Sequence, residues 1–237
     1  MTAIRFKNVL FRGLTKQILL EEDSQLKIIV TVNAEFIIHA NKDPEFNKLI
    51  AENFGTFDGQ IPYILAKRKF KNVFFEKISG SSFIYDICEF SKKNNKKVFL
   101  LGGHLDSNSK SVSILSERYQ IEVSGFSPDY MPYPFEAKHD EAIIEKIRHF
   151  KPDFLLVGFG AKKQEMWIND HKEQLSEIGV KWAVGVGGTF EFVAGTIKRA
   201  PLAVQRAGLE GVYRLFQEPK LFRFKRLIAS MAIFAIK

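Results

Sequence analysis

Cysteine is nearly absent: Cys88 is the single one among 237 residues. One thiol cannot close an internal disulfide, and with no CxxC and no His/Cys cluster a structural zinc site is excluded as well, a usage that fits a reducing compartment. Cys88 ends the apolar stretch Phe83-Ile84-Tyr85-Asp86-Ile87 and reads as a small buried residue, not a nucleophile. Long hydrophobic runs are missing too. The longest uncharged stretch, Leu227 to Ile236, has ten residues, well short of the roughly 20 that a membrane-spanning helix needs. The start, MTAIRFKNVLFRG, lacks the apolar core of a signal peptide. These absences give the expectation of a cytoplasmic protein, soluble or resting on the inner face of the cell membrane.

Signatures of chemistry are sparse as well. No DxD triplet occurs, so the carboxylate pair that holds a divalent metal in many nucleotide-sugar transferases is missing. Asp43-Pro44-Glu45 is similar only on the surface, since proline after aspartate is an ordinary helix start. None of the glycine clusters is a GxGxxG or a Walker A, which excludes dinucleotide and P-loop assignments on the residues. His39, His104, His139, His149 and His171 show no metal-ligand spacing, and His104 alone follows strand-end glycines. Ser-His-Asp and Cys-His arrangements have no local signature, and no repeat or low-complexity segment is present. The expectation is a protein that holds neither a metal nor a cofactor.

What is present is an ordinary globular composition, 46% hydrophobic and 26% charged, with phenylalanine over-used at 23 residues and read as core filling. The net charge of +8 is unevenly placed. From Lys198 onward nine basic residues stand against Glu210 and Glu218, a tail suited to a polyanion: nucleic acid, anionic lipid or diphosphate.

Short apolar runs alternate with helical periodicity between residues 28 and 188. Strands are expected at 28–32, 98–101, 121–123, 154–157 and 182–184, and helices near 43–53, 61–70, 81–94, 107–118, 138–149 and 164–176. Continuous apolar strands separated by helices mean a parallel sheet covered on both faces, so the fold class is α/β, doubly wound, with a basic C-terminal helical appendage. The boundary falls at Arg199-Ala200-Pro201, where proline can open a new helix. That gives a catalytic domain over 1–199 and an appendage over 200–237. In the appendage KLFRFKRLIASMAIFAIK alternates cations with large aliphatics, as an interfacial helix does; a docked helix with a solvated basic face is the plainer reading.

Several strands end in glycine: Gly102-Gly103, Gly158-Phe159-Gly160 and Gly185-Val186-Gly187-Gly188. Open parallel sheets bind ligands at such ends, where glycine lets backbone amides approach phosphate; tight turning is the alternative use of any one of them. Thr31 and Asn33 share a side at the end of the first long strand and suit a sugar or a base, although Asn33 could equally cap a helix. Thr56-Phe57-Asp58-Gly59 is expected to form a loop between helical stretches, and Asp58-Gly59 in it reads first as a turn, and second as a carboxylate placed to act as general base. Lys162, Lys163 and Gln164 open a helix after a strand, a place for phosphate, with Glu165 read as part of the first turn.

In order and spacing, Thr31-Val32-Asn33, Phe57-Asp58-Gly59, Lys77 with Gly80, Leu101-Gly102-Gly103, Pro152 to Gly160, Lys163-Gln164-Glu165, Gly185 to Phe190, Arg199-Ala200-Pro201, Gly208-Leu209-Glu210, Tyr213-Arg214-Leu215 and Glu218-Pro219 resemble the WecB/TagA/CpsF family, glycosyltransferase family 26. The resemblance covers about residues 28 to 226. It implies a metal-independent inverting enzyme that moves a hexose-type sugar, N-acetylmannosamine or related, from a UDP-sugar to an undecaprenyl-diphosphate-linked acceptor for cell-surface polysaccharide. It also implies Asp58 as catalytic base, which reverses the turn reading, and substrate positions at Thr31, Asn33, Lys77, Gly102, Gly103, Gln164, Arg199, Arg214 and Arg223. Departures are Lys77 for the family's arginine, Lys162 for proline, Glu191 for aspartate and Gly211 for tryptophan. A UDP-sugar-modifying enzyme such as an epimerase, and a basic nucleic-acid-binding module, are the rival readings. The first lacks a redox fingerprint, and the second rests on the basic tail alone. The expected partners are therefore the UDP-sugar, the lipid-linked acceptor and an anionic membrane surface, not nucleic acid.

Overall fold

The uninterrupted apolar runs do build a parallel sheet. A computed structural model describes residues 3–201, 203–204, 209–217, 224, 228 and 231–236. In chain order the elements are β1 (Ile4–Phe6), β2 (Val9–Phe11), α1 (Lys16–Leu20), β3 (Lys27–Val32), α2 (Ala34–Lys42), α3 (Pro44–Glu52), β4 (Phe54–Phe57) and α4 (Gln60–Lys69). They continue with α5 (Gly80–Asn94), β5 (Val98–Gly102), α6 (Leu105–Tyr119), β6 (Val123–Phe126), α7 (Ala137–Phe150) and β7 (Phe154–Gly158). Last come α8 (Lys163–Asp170), α9 (Lys172–Ile178), β8 (Trp182–Gly185), α10 (Thr189–Val193) and α11 (Glu210–Gln217). Six strands form one parallel sheet in the order β4-β3-β8-β7-β5-β6, flanked by helices in a doubly wound α/β fold. By compactness the chain divides into a first unit, residues 1–19, 30–79 and 197–237, and a second, residues 20–29 and 80–196.

In the second unit β5, β7 and β8 run in register, with Val98 beside Phe154 and Phe154 beside Trp182. Their apolar residues are buried throughout, as continuous hydrophobic strands of a covered sheet require. Phe154 and Trp182 stack at 4.2 Å, and Phe90 meets both edge-on at 6.0 and 5.8 Å. Cys88 is buried on α5, and burial pushes its thiol up to about 12, so it is an inert core residue. The register brings the glycine ends level: Gly102 lies beside Gly158, and Val157 beside Gly185.

In the first unit β1 and β2 form a hairpin whose two-residue turn, Lys7-Asn8, has φ of 49° and 63°. That geometry suits the twist of paired strands, and asparagine tolerates it. Phe11 stacks on Phe57 of β4 at 3.9 Å, and Phe75 tilts against the same ring at 4.9 Å. Asp43 caps α3 by accepting from the amides of Glu45 and Phe46, the role that its place before Pro44 suggests.

Three local expectations change. Thr56 and Phe57 belong to a short strand, β4, and only Asp58 and Gly59 form the loop. The strand expected at 121–123 runs Val123–Phe126, because Val98 donates to the carbonyl of Glu122 and pairing starts one residue later. The helix expected at 164–176 breaks at His171, whose ring folds back on Trp167 with centroids 4.6 Å apart and whose backbone leaves helical geometry there.

One buried polar side chain joins helix to sheet in the second unit. Asn108 on α6 donates from Nδ2 to the carbonyls of Leu100 at 3.0 Å and Gly102 at 2.8 Å, and β6 can pack there because Gly125 has no side chain; a Cβ would come within 2.2 Å of Asn108 Oδ1. Asn108→Ala should therefore take a donor from two β5 carbonyls, those of Leu100 and Gly102, and lower stability by about 2 kcal/mol, read as a fall in the urea midpoint at unchanged slope.

Candidate active site

In the first unit the chain reaches Asp58 from β4, and its amide donates to the carbonyl of Val32 at 3.0 Å. The loop is thereby pinned beside the end of β3, where Thr31 is buried and Asn33 half-buried. Gly59 follows with φ 85°, a backbone turn that favours glycine, and opens α4. Asp58 itself is half-buried. A second clamp comes from residues 76–78: Ile78 donates to the carbonyl of Phe57 at 2.9 Å, Lys77 bridges to Phe57 in parallel fashion, and Thr56 Oγ1 donates to the carbonyl of Ile78 at 2.9 Å. Lys77 is half-buried and donates from Nζ to Gln60 Oε1 at 3.0 Å, on the first turn of α4. The carboxylate and the ammonium are thus carried on neighbouring stretches of backbone held to one strand.

Asn33 does what helix capping asks of it. Its Oδ1 accepts from the amide of Phe36 at 3.1 Å, which orients the side chain and engages that one oxygen. Arg199 lies outside regular structure and is exposed. The backbone of Arg214 belongs to α11, while its side chain and the whole of Arg223 lie outside the described residues.

The second unit holds the other expected positions. Gly102 and Gly103 have φ of 87° and 72°. A Cβ on Gly102 would come within 2.8 Å of the Phe159 ring, and one on Gly103 within 2.8 Å of Phe190, so both glycines are needed for backbone shape and for aromatic packing at once. The amide of Gly103 donates to the carbonyl of Gly158 at 3.2 Å. Gln164 is 2% exposed. Its Oε1 accepts from the amides of Gly160 at 3.2 Å and Gly187 at 3.1 Å. One side chain therefore ties the loop after β7 to the loop after β8. A phosphate arriving at these amides has to displace Gln164 Oε1 from them. Lys163 turns aside: its Nζ donates to the carbonyl of Met131 at 3.2 Å, and burial holds its pKa below the usual lysine value.

Glu165 is the residue that sequence reasoning passed over. It is wholly buried, Oε1 accepts from Gln164 Nε2 at 2.7 Å, and Oε2 has no hydrogen-bond partner among the described residues. Burial pushes its carboxyl up to about 7, against weaker pulls from Gln164 and from the amides of Glu165 and Lys162 that favour the ionised form. It fits because Gly185 is glycine; a Cβ there would lie 2.2 Å from Glu165 Oε1. The available signal was Gly185 on an otherwise bulky strand facing the Gln164-Glu165 pair. Gln60, the partner of Lys77, left no signal in the sequence. Among the described residues no three His, Cys, Asp or Glu side chains gather into a metal-ligand set, and no helix is long and apolar enough to cross a membrane.

The chain is 30% identical over 212 residues to the N-acetylglucosaminyldiphosphoundecaprenol N-acetyl-beta-D-mannosaminyltransferase of Staphylococcus aureus strain MRSA252, covering 88% of this chain and 78% of the relative. The enzyme of the same name from strain MW2 is 30% identical over 210 residues, with the same coverage. The family match runs through residues 1–237. The chain is a glycosyltransferase and belongs to the Glycosyl transferase WecG/TagA/CpsF family.

Proposed function

We propose that the chain transfers N-acetylmannosamine or a closely related hexose from a UDP-sugar to a sugar carried on undecaprenyl diphosphate, at the anionic inner face of the cell membrane. The acceptor and the sugar follow the name of the Staphylococcus aureus relatives. The observation that carries the reading is the setting of Asp58: a half-buried carboxylate on a loop pinned to Val32, with Lys77 clamped beside the same strand. In this mechanism Asp58 takes the proton from an acceptor hydroxyl as its oxygen bonds to the anomeric carbon. The bond from that carbon to UDP breaks on the opposite face, and UDP leaves with the electron pair. The configuration inverts in a single displacement.

Charge on the departing diphosphate needs cations or amides that are already in place. Lys77, Arg199, Arg214 and Arg223 are the proposed cations, and Thr31, Asn33, Gly102, Gly103 and Gln164 the proposed sugar and nucleotide contacts. No metal or cofactor enters the scheme. Residues 200–237 act as the membrane-associating appendage of the catalytic portion 1–199. Support comes from large apolar side chains left in solvent there: Phe216 is 83% exposed, and Leu209, Phe224, Ile228, Met231 and Phe234 are more than half exposed.

Glu165 adds a pH dependence to the fold. Its carboxyl rises from 4.5 to about 7 on folding, so between those values the folded chain binds the proton more tightly than the unfolded one. Stability is then highest below the unfolded value and falls as pH rises toward 7. The loss is about 3 kcal/mol for a shift of this size.

Asp58→Asn should lower turnover by roughly 100-fold or more while leaving the melting temperature in place, with products read by mass from UDP-N-acetylmannosamine and a short-chain lipid-diphosphate acceptor. Near-native rates in that variant remove Asp58 from the mechanism. Glu165→Gln removes the titration, so its stability should stay flat from pH 5 to 8 while the parent weakens, as thermal melts across that range will show. Replacing Phe216, Phe224 and Met231 together with serine should weaken binding to anionic vesicles and slow transfer to a long-chain acceptor. Unchanged vesicle binding would contradict the role of the appendage.

A further inference from the structure

Between Asp58 and Glu76 the sequence holds no acidic residue and four cations, Lys67, Arg68, Lys69 and Lys71. All lie in the first unit, at and just beyond the C-terminal end of α4, the helix whose first turn carries Gln60. A helix C-terminus welcomes cations, which accounts for the first three but not for Lys71, nor for what accompanies them. Phe74 follows the helix and is 74% exposed, Ile64 is exposed on α4, and Phe70 is half-buried.

Two of the four cations lie over rings, one of them the buried Phe75. Lys67 Nζ lies 4.2 Å from the Phe75 ring centre and 5.4 Å from that of Phe74, and Lys69 Nζ lies 5.5 Å from the Phe70 ring. Arg68, Lys69 and Lys71 are exposed and form no ion pair among the described residues. One well-exposed ring, Phe74, among unpaired cations, with no acid in the whole stretch, is the composition of a surface that meets phosphate headgroups and dips a ring below them. A solvated basic face would have no use for Phe74.

We infer that residues 67–74 form a second lipid-binding foot, in which Arg68, Lys69 and Lys71 contact anionic headgroups and Phe74 enters the acyl boundary. This rests on the reading above that the chain works at an anionic membrane. It adds a contact that is separate from the C-terminal appendage and is covalently continuous, through α4, with the loop that bears Asp58. The foot ties the height of that loop to the plane of the bilayer from which the acceptor diphosphate projects.

The test uses the full chain carrying Phe74→Trp. The two native tryptophans, Trp167 and Trp182, are wholly buried, so a change in emission on adding lipid reports on position 74. With phosphatidylcholine vesicles containing one part in three phosphatidylglycerol, the emission should shift to the blue and be quenched by brominated acyl chains; pure phosphatidylcholine should do neither. Charge reversal at Arg68, Lys69 and Lys71 should reduce vesicle affinity by roughly 100-fold or more at low salt, while reversal at Lys92, Lys93 and Lys110, also exposed, leaves it little changed. Vesicle binding with the introduced tryptophan still in water overturns the foot and leaves the appendage reading intact. An equal loss from the control reversal, or an emission shift with short RNA and none with vesicles, also overturns it. A chain that binds no vesicles at all defeats both readings together.

Discussion

Gln164 Oε1 receives two amides from different loops, Gly160 after β7 and Gly187 after β8. In a parallel sheet buried on both faces, the strand ends are the places where backbone groups leave the ladder unpaired. Gln164 supplies the acceptor that two of those groups need, and its own amide is held in turn by Glu165. Because Glu165 is fully buried with one oxygen lacking a partner among the described residues, the pair is a polar network short of full satisfaction. Such a network is costly when it serves packing alone. Its presence at the glycine ends of β7 and β8 is where a doubly wound enzyme keeps its ligand contacts.

The first unit solves a different problem, which is to fix a carboxylate on a loop without burying it. Phe57 is wholly buried under Phe11 and Phe75, so β4 cannot slide. The residue after Phe57 is therefore delivered to one place, and Gly59 turns the chain away at once. Asp58 owes its position to an aromatic cluster made largely of the phenylalanines that are over-represented in this sequence.

Much of the sheet was legible because β5, β7 and β8 are uninterrupted apolar runs and β3 is one broken only by Thr31 after its opening lysine, a pattern that buried parallel strands produce and amphipathic helices do not. β4 escaped notice because Phe-Gly-Thr-Phe is four residues long, contains glycine and follows a helix directly. The hairpin at residues 4–11 was passed over although Lys7-Asn8 sits between alternating apolar residues, a usable turn signal. Asp58 could not be told from a turn by its neighbours, since Asp-Gly serves both purposes; only the order and spacing of motifs over about residues 28 to 226 raised the expectation of a catalytic base there. Asn108 and Glu165 were invisible for a common reason. Each is a polar residue that looks solvent-facing in a helical pattern and is buried because a glycine on a neighbouring strand, Gly125 or Gly185, leaves it room.

The lone thiol has a practical side. Cys88 is enclosed in the core, and its sulfur is held in the protonated form far above neutral pH, so maleimides and other thiolate-seeking reagents find almost nothing to attack in the native chain. Any cysteine engineered onto the surface becomes the sole handle for a dye or spin label, with no need to remove a native one first.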